Sequence, residues 1–321
     1  MLCMRGKIAV ALLLLAVVLA ALWALTGERA AEVAMPEPVA GEPLPVTSPV
    51  KVASLHPLLS EMARSIGGNA ITVVDLFPAA SDLHAFTPAG ADIAAAAGSR
   101  LLLACGKGVE PYLRDLRDSL PASTAVLELG AAIPDVSTPG GGGIPDPHWW
   151  STPTNMKRAS LALAAALQQA APAEAQGIAA RQQAWAAAMD ALTRRARLEL
   201  TRIPAAQRVL VTEHAAMCHF CEEFHFTPIP VQGVAQESEG DTASLARLLG
   251  ELRTRGVPCL FADVGDSPRF LQNLAAQLGA RLHSLYMDGV HPTGEPLSYE
   301  EMFLHNLRAI RSGLEPTTTV P

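Results

Sequence analysis

The stretch AEAQGIAARQQAWAAAMDALTRRARLELTRI, residues 173–203, decides how the rest of the chain is divided. Gly177 is its only glycine and no proline follows until Pro204, so the sequence predicts one uninterrupted helix. At about 1.5 Å per residue, this helix would be roughly 45 Å long. Because it is rich in alanine and carries several arginines, it is better suited to a strut that joins two lobes than to a buried core element. A second helix is predicted just before it, over residues 155–171.

Short apolar or β-branched runs alternate with helix-like stretches on both sides of this strut. The runs cover residues 50–54, 70–77 and 100–105 before it, and residues 207–212, 257–264 and 280–287 after it. This alternation is typical of a parallel sheet covered by helices. We therefore predict an α/β protein of two lobes, each a mostly parallel sheet flanked by helices, joined by one long rigid helix.

The same patterns divide the chain into segments. In order, they are a signal peptide or N-terminal membrane anchor (1–34), a proline-rich spacer (35–49), an N-terminal α/β lobe (50–172), the connecting helix (173–203), a C-terminal α/β lobe (204–314) and a tail (315–321).

The N-terminal segment has the order of an export signal, because Arg5 and Lys7 precede an uninterrupted apolar run over residues 8–25. The run is long for a signal peptide and just long enough to cross a bilayer, and no clean A-x-A cleavage motif follows it. A cleaved signal and an uncleaved anchor both fit. In either case we expect an extracytoplasmic protein, in the periplasm or at the cell surface, which residues 8–25 would anchor to the cytoplasmic membrane if they are retained.

Charge and cysteine content exclude two classes of protein. The formal net charge is −7 and the sequence has no block of lysine or arginine, which argues against a nucleic-acid partner. Cys105, Cys218, Cys221 and Cys259 are too few for a disulfide scaffold in a chain of 321 residues. The chain also lacks a phosphate-binding loop of the G-x-x-x-x-G-K-[ST] kind.

Four polar residues follow predicted strands, and in open parallel sheets ligands bind outside the carboxyl ends of strands. His84 and His148 belong to the first half of the chain, and His214 and Asp288 belong to the second. Three imidazoles and one carboxylate would form a four-coordinate site suited to a divalent metal such as zinc. Spacing alone does not single out this set, because the chain has nine histidines and any of them could be a hydrogen-bonded loop residue.

Three ordered motifs lie in the first half, and two weaker ones lie in the second. They are ASLHPLLSEMARSIGGNAITVVDLFPAASDLHAFTPAGADI (53–93), CGKGVEPYL (105–113), DPHWWSTP (146–153), TEHAAMCHF (212–220) and LYMDGV (285–290). With these motifs the chain resembles the metal-specific solute-binding proteins of ABC importers for zinc and manganese, over nearly all of residues 51–314.

The resemblance implies that His84, His148, His214 and Asp288 bind a metal ion in a cleft between the lobes, and that the ion is delivered to an ABC permease. The resemblance implies that the protein is not an enzyme, and we expect it to be a monomer. Zn²⁺ is favoured because manganese importers of this family usually carry glutamate where this chain has His214. Mn²⁺ and Fe²⁺ stay as alternatives, since imidazole and carboxylate accept all three ions. The histidine-rich loop of many zinc-specific relatives is replaced by STPGGGGIPDP, residues 137–147.

Two other functions use the same residues. A metal-sequestering surface protein or adhesin would bind the metal at the same site but would have no permease as a partner. A zinc hydrolase usually keeps an open coordination position and a general base, and the chain has no H-E-x-x-H motif.

Several neighbours of the four candidate ligands have open roles. Trp149 and Trp150 are expected to form an apolar wall around His148, although at least one could serve ordinary packing. At about 100° per residue, His214, Cys218, Cys221 and His225 would share one stripe of a helix. Cys218 is therefore either an extra ligand or, more simply, a small buried packing residue. Three more residues are expected beside the ligands, as hydrogen-bond partners or as solvated groups: His56, Glu213 and Asp263.

Overall fold

The protein is described here from a computed structural model that covers residues 48–77, 86, 88–139, 143–231, 242–264, 269–289 and 297–316. The predicted signal or anchor, most of the spacer and most of the tail lie outside the described residues, as does His84. No helix in the described residues is both long and apolar enough to cross a bilayer.

Strands and helices alternate along the described residues. The first half contains β1 (Val50–Ser54), α1 (Pro57–Gly67), β2 (Ile71–Asp75), α2 (Gly90–Ala96), β3 (Leu101–Ala104), α3 (Leu113–Ser119), β4 (Ala125–Glu128) and α4 (Pro153–Ala170). The helix α5 (Ala175–Leu200) follows. The second half contains β5 (Val209–Thr212), α6 (Cys218–Phe224), β6 (Thr227–Pro230), α7 (Thr242–Thr254), β7 (Cys259–Asp263), α8 (Arg269–Leu278), β8 (Arg281–Leu285) and α9 (Tyr299–Leu314).

Each half forms a four-stranded parallel sheet, and the two sheets have the same strand order. The order is β2-β1-β3-β4 in the first and β6-β5-β7-β8 in the second, with parallel pairing throughout. In each sheet the chain direction across the sheet reverses between the two central strands. The crevice that this reversal leaves at the carboxyl ends of β1 and β3, and of β5 and β7, is where open α/β sheets bind ligands. The predicted fold class is confirmed.

The predicted strands are found within one or two residues of their expected positions, but β4 and β6 were not predicted. Both are four residues long and lie at sheet edges. The sequence of β6, TPIP, contains two prolines, which lack the N–H that a central strand needs. An edge position tolerates them, because one side of the strand forms no ladder.

The long predicted helix is α5, and it joins the two lobes. A short 3₁₀ turn over Pro172–Glu174 precedes it. Arg181 of α5 donates from Nε to the carbonyl of Ile66 (2.7 Å) and from Nη2 to that of Gly67 (2.8 Å), which caps the end of α1. One face of α5 is buried, so the helix contributes to the core as well as acting as a strut.

The largest apolar cluster runs through both lobes. It includes Val52 of β1, Phe261 of β7 and Ala196 of α5, all fully buried. Both sheets belong to the same structural unit. A core shared in this way favours small relative movements of the lobes over wide opening, because wide opening would expose apolar surface.

Candidate metal site

The loop that carries His148 is ordered by its own backbone hydrogen bonds. Asp146 N donates to the carbonyl of Val136 (2.7 Å), and Thr138 N donates to that of Ile144 (3.0 Å). Ser137 and Pro145 pair as an isolated antiparallel bridge. Next, Thr152 accepts a hydrogen bond from Asn155 N and begins α4, with Pro153 at the first helical position. The proline-rich segment therefore forms a fixed, non-helical loop.

Asp146 is a fully buried carboxylate directly beside His148. Its Oδ1 accepts from His148 N (2.9 Å) and from His148 Nδ1 (2.8 Å), and its Oδ2 accepts from Cys218 N (2.8 Å). Burial by itself would raise the pKa of Asp146, but the hydrogen bonds and charge of His148, with the N–H of Cys218, lower that pKa below its ordinary value. In the neutral form of the imidazole, the ionised Asp146 favours the tautomer with its proton at Nδ1, which leaves the lone pair of His148 at Nε2.

Trp150 forms an aromatic wall beside His148. Its ring centroid lies 5.3 Å from that of His148 and 4.8 Å from that of His56. Its Nε1 donates to the carbonyl of Met287 (2.7 Å), the residue before Asp288. Trp149 instead packs within the first lobe, where its Nε1 donates to the carbonyl of Cys105 (3.0 Å). The apolar wall beside His148, which was expected from both tryptophans, is therefore formed by Trp150.

His214 follows β5 and is held through its backbone. Its carbonyl accepts from Thr212 Oγ1 (2.7 Å) and from Ala216 N (3.0 Å). The residue is half-buried, and its ring centroid lies 5.2 Å from that of His148. Two imidazoles, one from each half of the chain, are thus brought together.

Asp288 follows β8 in a turn that both lobes support. Asn306 holds Tyr286, two residues before Asp288, because it accepts from Tyr286 N (2.8 Å) and donates to the Tyr286 carbonyl (2.7 Å). After Asp288, Gly289 has φ +73°, and a Cβ there would lie 2.4 Å from Leu58 Cδ2 of α1. Both the conformation and the space require glycine at this position.

Asp288 also lies near the carboxyl end of β3 in the first lobe. The pKa of the Cys105 thiol is raised first by burial, then by the charge of Glu110, and then by that of Asp288. Glu110 closes the turn after β3, accepting from Cys105 N (2.7 Å) and Gly106 N (3.0 Å). The charge of Asp288, from the second lobe, therefore acts at the carboxyl end of β3 in the first lobe.

The structure describes three of the four predicted ligands. His148 and His214 lie side by side, Asp288 is at the same crevice, and His84 lies outside the described residues. Among the described residues, no three or more His, Cys, Asp or Glu side chains are grouped so that they could hold a metal ion.

His56 is a hydrogen-bonded neighbour of the site. Its Nδ1 accepts from Leu58 N (3.1 Å) and begins α1. Burial, and then the charge of His148, lower the pKa of His56 to about 3. Because the lone pair is used at Nδ1, the proton of the neutral ring is at Nε2, and that nitrogen is not available as a ligand in this arrangement.

The predicted helical stripe around Cys218 is wrong. Helix α6 begins only at Cys218, because the chain turns at His214, and His225 leaves the helix with φ +59°. Burial, and then the charge and hydrogen bond of Asp146, raise the pKa of Cys218 to about 12. Its thiol thus faces Asp146, on the Nδ1 side of His148, away from the Nε2 lone pair. All four cysteines in the described residues are buried and free.

Two buried residues of this region were missed in the sequence. One is Asp146, whose place two residues before His148 is the spacing of a local Asx turn and could have suggested its role. The other is His219, whose Nε2 donates to the carbonyl of Asp146 (3.1 Å). Glu213 and Asp263, which were expected either to orient the ligand histidines or to be solvated, lie at the ends of β5 and β7, and Asp146 is the residue that accepts from His148 Nδ1.

Comparisons with known proteins agree with this architecture. The family model described as "Zinc-uptake complex component A periplasmic" (ZnuA) matches residues 52–313. The chain is 25% identical over 242 residues to the iron-binding protein YfeA of Yersinia pestis, covering 75% of this chain and 78% of that one. It is 24% identical over 275 residues to the manganese-binding lipoprotein MntA of Bacillus subtilis, covering 83% and 90%. It is 24% identical over 289 residues to the zinc-binding protein TroA of Treponema pallidum, covering 85% and 89%.

Solved structures show the same fold. A zinc-bound deletion mutant of ZnuA superposes with a TM-score of 0.74 at 21% identity, covering 84% of this chain and 99% of that one. The periplasmic zinc-binding protein TroA of Treponema pallidum gives a TM-score of 0.74 at 21% identity, covering 84% and 100%. The resemblance found in the sequence motifs is confirmed, and this chain belongs to the family of periplasmic zinc-uptake component A proteins.

Proposed function

We propose that this protein is an extracytoplasmic solute-binding protein that captures a divalent transition metal ion and delivers it to an ABC permease. The observation that carries the proposal is the pairing of His148 and His214, which belong to different lobes and have ring centroids 5.2 Å apart. Asp146 fixes the tautomer of His148 that a metal requires. An ion bound by both rings would join the two lobes.

The proposed ligands are His84, His148, His214 and Asp288. Asp288 would supply the carboxylate oxygen beside the two rings, and His84 would supply the third nitrogen. Relatives of this chain are named as zinc-, manganese- and iron-binding proteins, so their names do not select one ion. Three imidazoles and one carboxylate favour Zn²⁺ as the cargo, with Mn²⁺ or Fe²⁺ as alternatives.

We further propose that the protein is not an enzyme and acts as a monomer. Four protein ligands fill a tetrahedron and leave no position for a reactive water. Residues 1–34 would export or anchor the protein, residues 35–49 would space it from the membrane, and the connecting helix would limit movement between the lobes 50–172 and 204–314. The apolar core shared by both sheets supports that limited movement.

A competitive metal titration tests the proposal. The chelator-stripped full-length protein, in detergent if the N-terminal segment is retained, would be titrated with Zn²⁺ and Mn²⁺ beside His214→Glu and Asp288→Ala. We expect one Zn²⁺ per chain, bound more tightly than Mn²⁺. Asp288→Ala should weaken zinc binding by about 100-fold or more, exceeding the usual effect of losing an outer partner, and His214→Glu should shift the preference toward Mn²⁺.

Weak binding of several ions per chain, unchanged by Asp288→Ala, would contradict the proposed site. Tight one-to-one binding of Mn²⁺ in preference to Zn²⁺ would keep the site and overturn the choice of ion. Leu161→Ala, which changes an exposed residue on α4, is the matched control for purification and chelation.

A further inference from the structure

Asp146 belongs to a loop of the first lobe but also bonds to the second lobe. Its Oδ2 accepts from Cys218 N (2.8 Å), and its carbonyl accepts from His219 Nε2 (3.1 Å). Cys218 is the first residue of α6. Because the first N–H groups of a helix have no partner within it, this amide depends on the Asp146 carboxylate.

A buried polar network continues from His219 into α4. Its Nδ1 accepts from Asn155 Nδ2 (3.2 Å), which also donates to the carbonyl of Trp149 (3.1 Å). Asn155 Oδ1 accepts in turn from Arg158 Nη1 (3.1 Å). Burial is the main cause that lowers the pKa of His219, which fits a neutral ring that donates from one nitrogen and accepts at the other.

The other end of α6 is tied to α4 separately. Thr154 Oγ1 donates to Glu223 Oε1 (2.5 Å), and Glu223 also lies 3.7 Å from Arg197 Nη2 of α5. Helix α6 is thus attached to the first lobe at both ends, but only its first turn is attached through a residue that also contacts His148.

We infer that Asp146 is a positioning residue that couples metal occupancy of the His148 site to the first turn of α6. The inference rests on the proposed function, since it needs an ion at His148 Nε2. A cation there polarises the imidazole and strengthens the Nδ1–H bond to Asp146 Oδ1. The same carboxylate holds Cys218 N, so fixing His148 also restrains the start of α6. The second lobe then differs between the loaded and empty protein in the buried first turn of α6, which is distinct from the proposed ligands.

Amide hydrogen exchange of the full chain with and without Zn²⁺ tests the coupling. In the wild type, Zn²⁺ should slow exchange of the Cys218 and His219 amides severalfold. In Asp146→Asn, measured at saturating zinc, this difference should disappear, and zinc affinity should fall by about 10- to 100-fold. With Co²⁺ as the probe, the visible spectrum should shift in Asp146→Asn, because His148 is no longer held in one orientation.

Thr154→Val is the matched control. It removes the hydrogen bond from Thr154 to Glu223 at the other end of α6 and leaves Asp146 unchanged. Amide exchange in α6 should therefore be faster both with and without Zn²⁺. The zinc-dependent difference in exchange at Cys218 and the cobalt spectrum should stay as in the wild type. If Asp146 only caps α6 and has no link to the metal site, the Cys218 amide should exchange equally fast in the loaded and the empty wild type. That result overturns the inference even if Asp146→Asn does not fold. If the wild type binds no zinc, the proposed function fails. If it binds zinc and Asp146→Asn binds equally well with the same protection, only the coupling fails.

Discussion

The two lobes repeat one strand order but hold their histidines differently. In the first lobe, the side chain of His148 is only 6% exposed, and its ring is fixed by the buried carboxylate of Asp146 and the wall of Trp150. In the second lobe, His214 is half-buried, and its carbonyl accepts a hydrogen bond from Thr212. Of the two proposed ligands, His148 is therefore held by contacts of its ring, and His214 is held by hydrogen bonds of its backbone.

The largest expected effect comes from comparing the stability of His148→Ala with that of His214→Ala, both in metal-free protein. Removing the His148 ring leaves Asp146 buried with one partner fewer, so the free energy of unfolding should fall by about 3 kcal/mol. Removing the half-buried His214 should cost under about 1 kcal/mol. Urea unfolding followed by circular dichroism measures both. Adding Asp146→Asn to His148→Ala should restore part of the loss, and equal costs for the two histidines would remove the distinction.

Gly289→Ala tests how firmly the turn of Asp288 is held. The new Cβ would lie 2.4 Å from Leu58 Cδ2, and φ is +73°. We expect a loss of about 2 kcal/mol in the free energy of unfolding and a weaker zinc affinity, because Asp288 is displaced. Gly279→Ala is the control, since φ is +67° there but nothing lies within 4 Å of the added Cβ. It should cost only about 1 kcal/mol and leave zinc affinity unchanged, and an equal effect of both changes would show that the contact with Leu58 does not position Asp288.

A second hydrogen bond between the lobes, from Tyr299 to Glu61, involves a carboxyl group that is sensitive to pH. Glu61 Oε2 of α1 accepts from Tyr299 N (2.6 Å) at the start of α9. Burial, and then the charges of Glu301 and Glu300, raise the pKa of Glu61 from 4.5 to about 7, although the bond from Tyr299 N acts in the opposite direction. The folded protein therefore binds a proton that the unfolded chain releases, so this group disfavours folding above pH 7 and ceases to do so as the pH falls toward 4.5.

Glu61→Gln should remove this pH dependence. The amide oxygen can still accept from Tyr299 N, so the variant should be more stable than the wild type at pH 8 by roughly 1–2 kcal/mol, allowing for partial exposure, and similar at pH 5. Thermal unfolding at both pH values measures the difference. Glu300→Gln removes one of the charges that raise the pKa of Glu61, so it should reduce the pH dependence only in part. A constant gap between wild type and Glu61→Gln at the two pH values would contradict the raised pKa.

The sequence predicted the sheets more fully than the site. Continuous apolar runs such as residues 100–105 identify buried parallel strands locally, whereas TPIP in β6 is a strand only because an edge position tolerates its prolines. The candidate ligands came from the motifs, and His148 and His214 do lie together. The role of Asp146 depends on Cys218, which is 72 residues away in the sequence. His214 and Cys218 were predicted to lie on one helical face, but the chain turns after β5 and α6 begins only at Cys218, so His214 is not part of that helix.

The smallest expected effect is that of Cys218→Ser, and it sharpens the contrast between the two sides of His148. The Cys218 thiol faces Asp146 on the Nδ1 side, so a serine hydroxyl can make a similar bond and the metal side is unchanged. We expect the free energy of unfolding to change by less than about 1 kcal/mol, with zinc affinity and the preference over Mn²⁺ unaffected. Cys259→Ser, a buried change in the β7 strand away from the site, is the control. A thiolate charge-transfer band with Co²⁺ in the wild type, lost in Cys218→Ser, would instead make the thiol a ligand and place the metal on the Asp146 side of the imidazole.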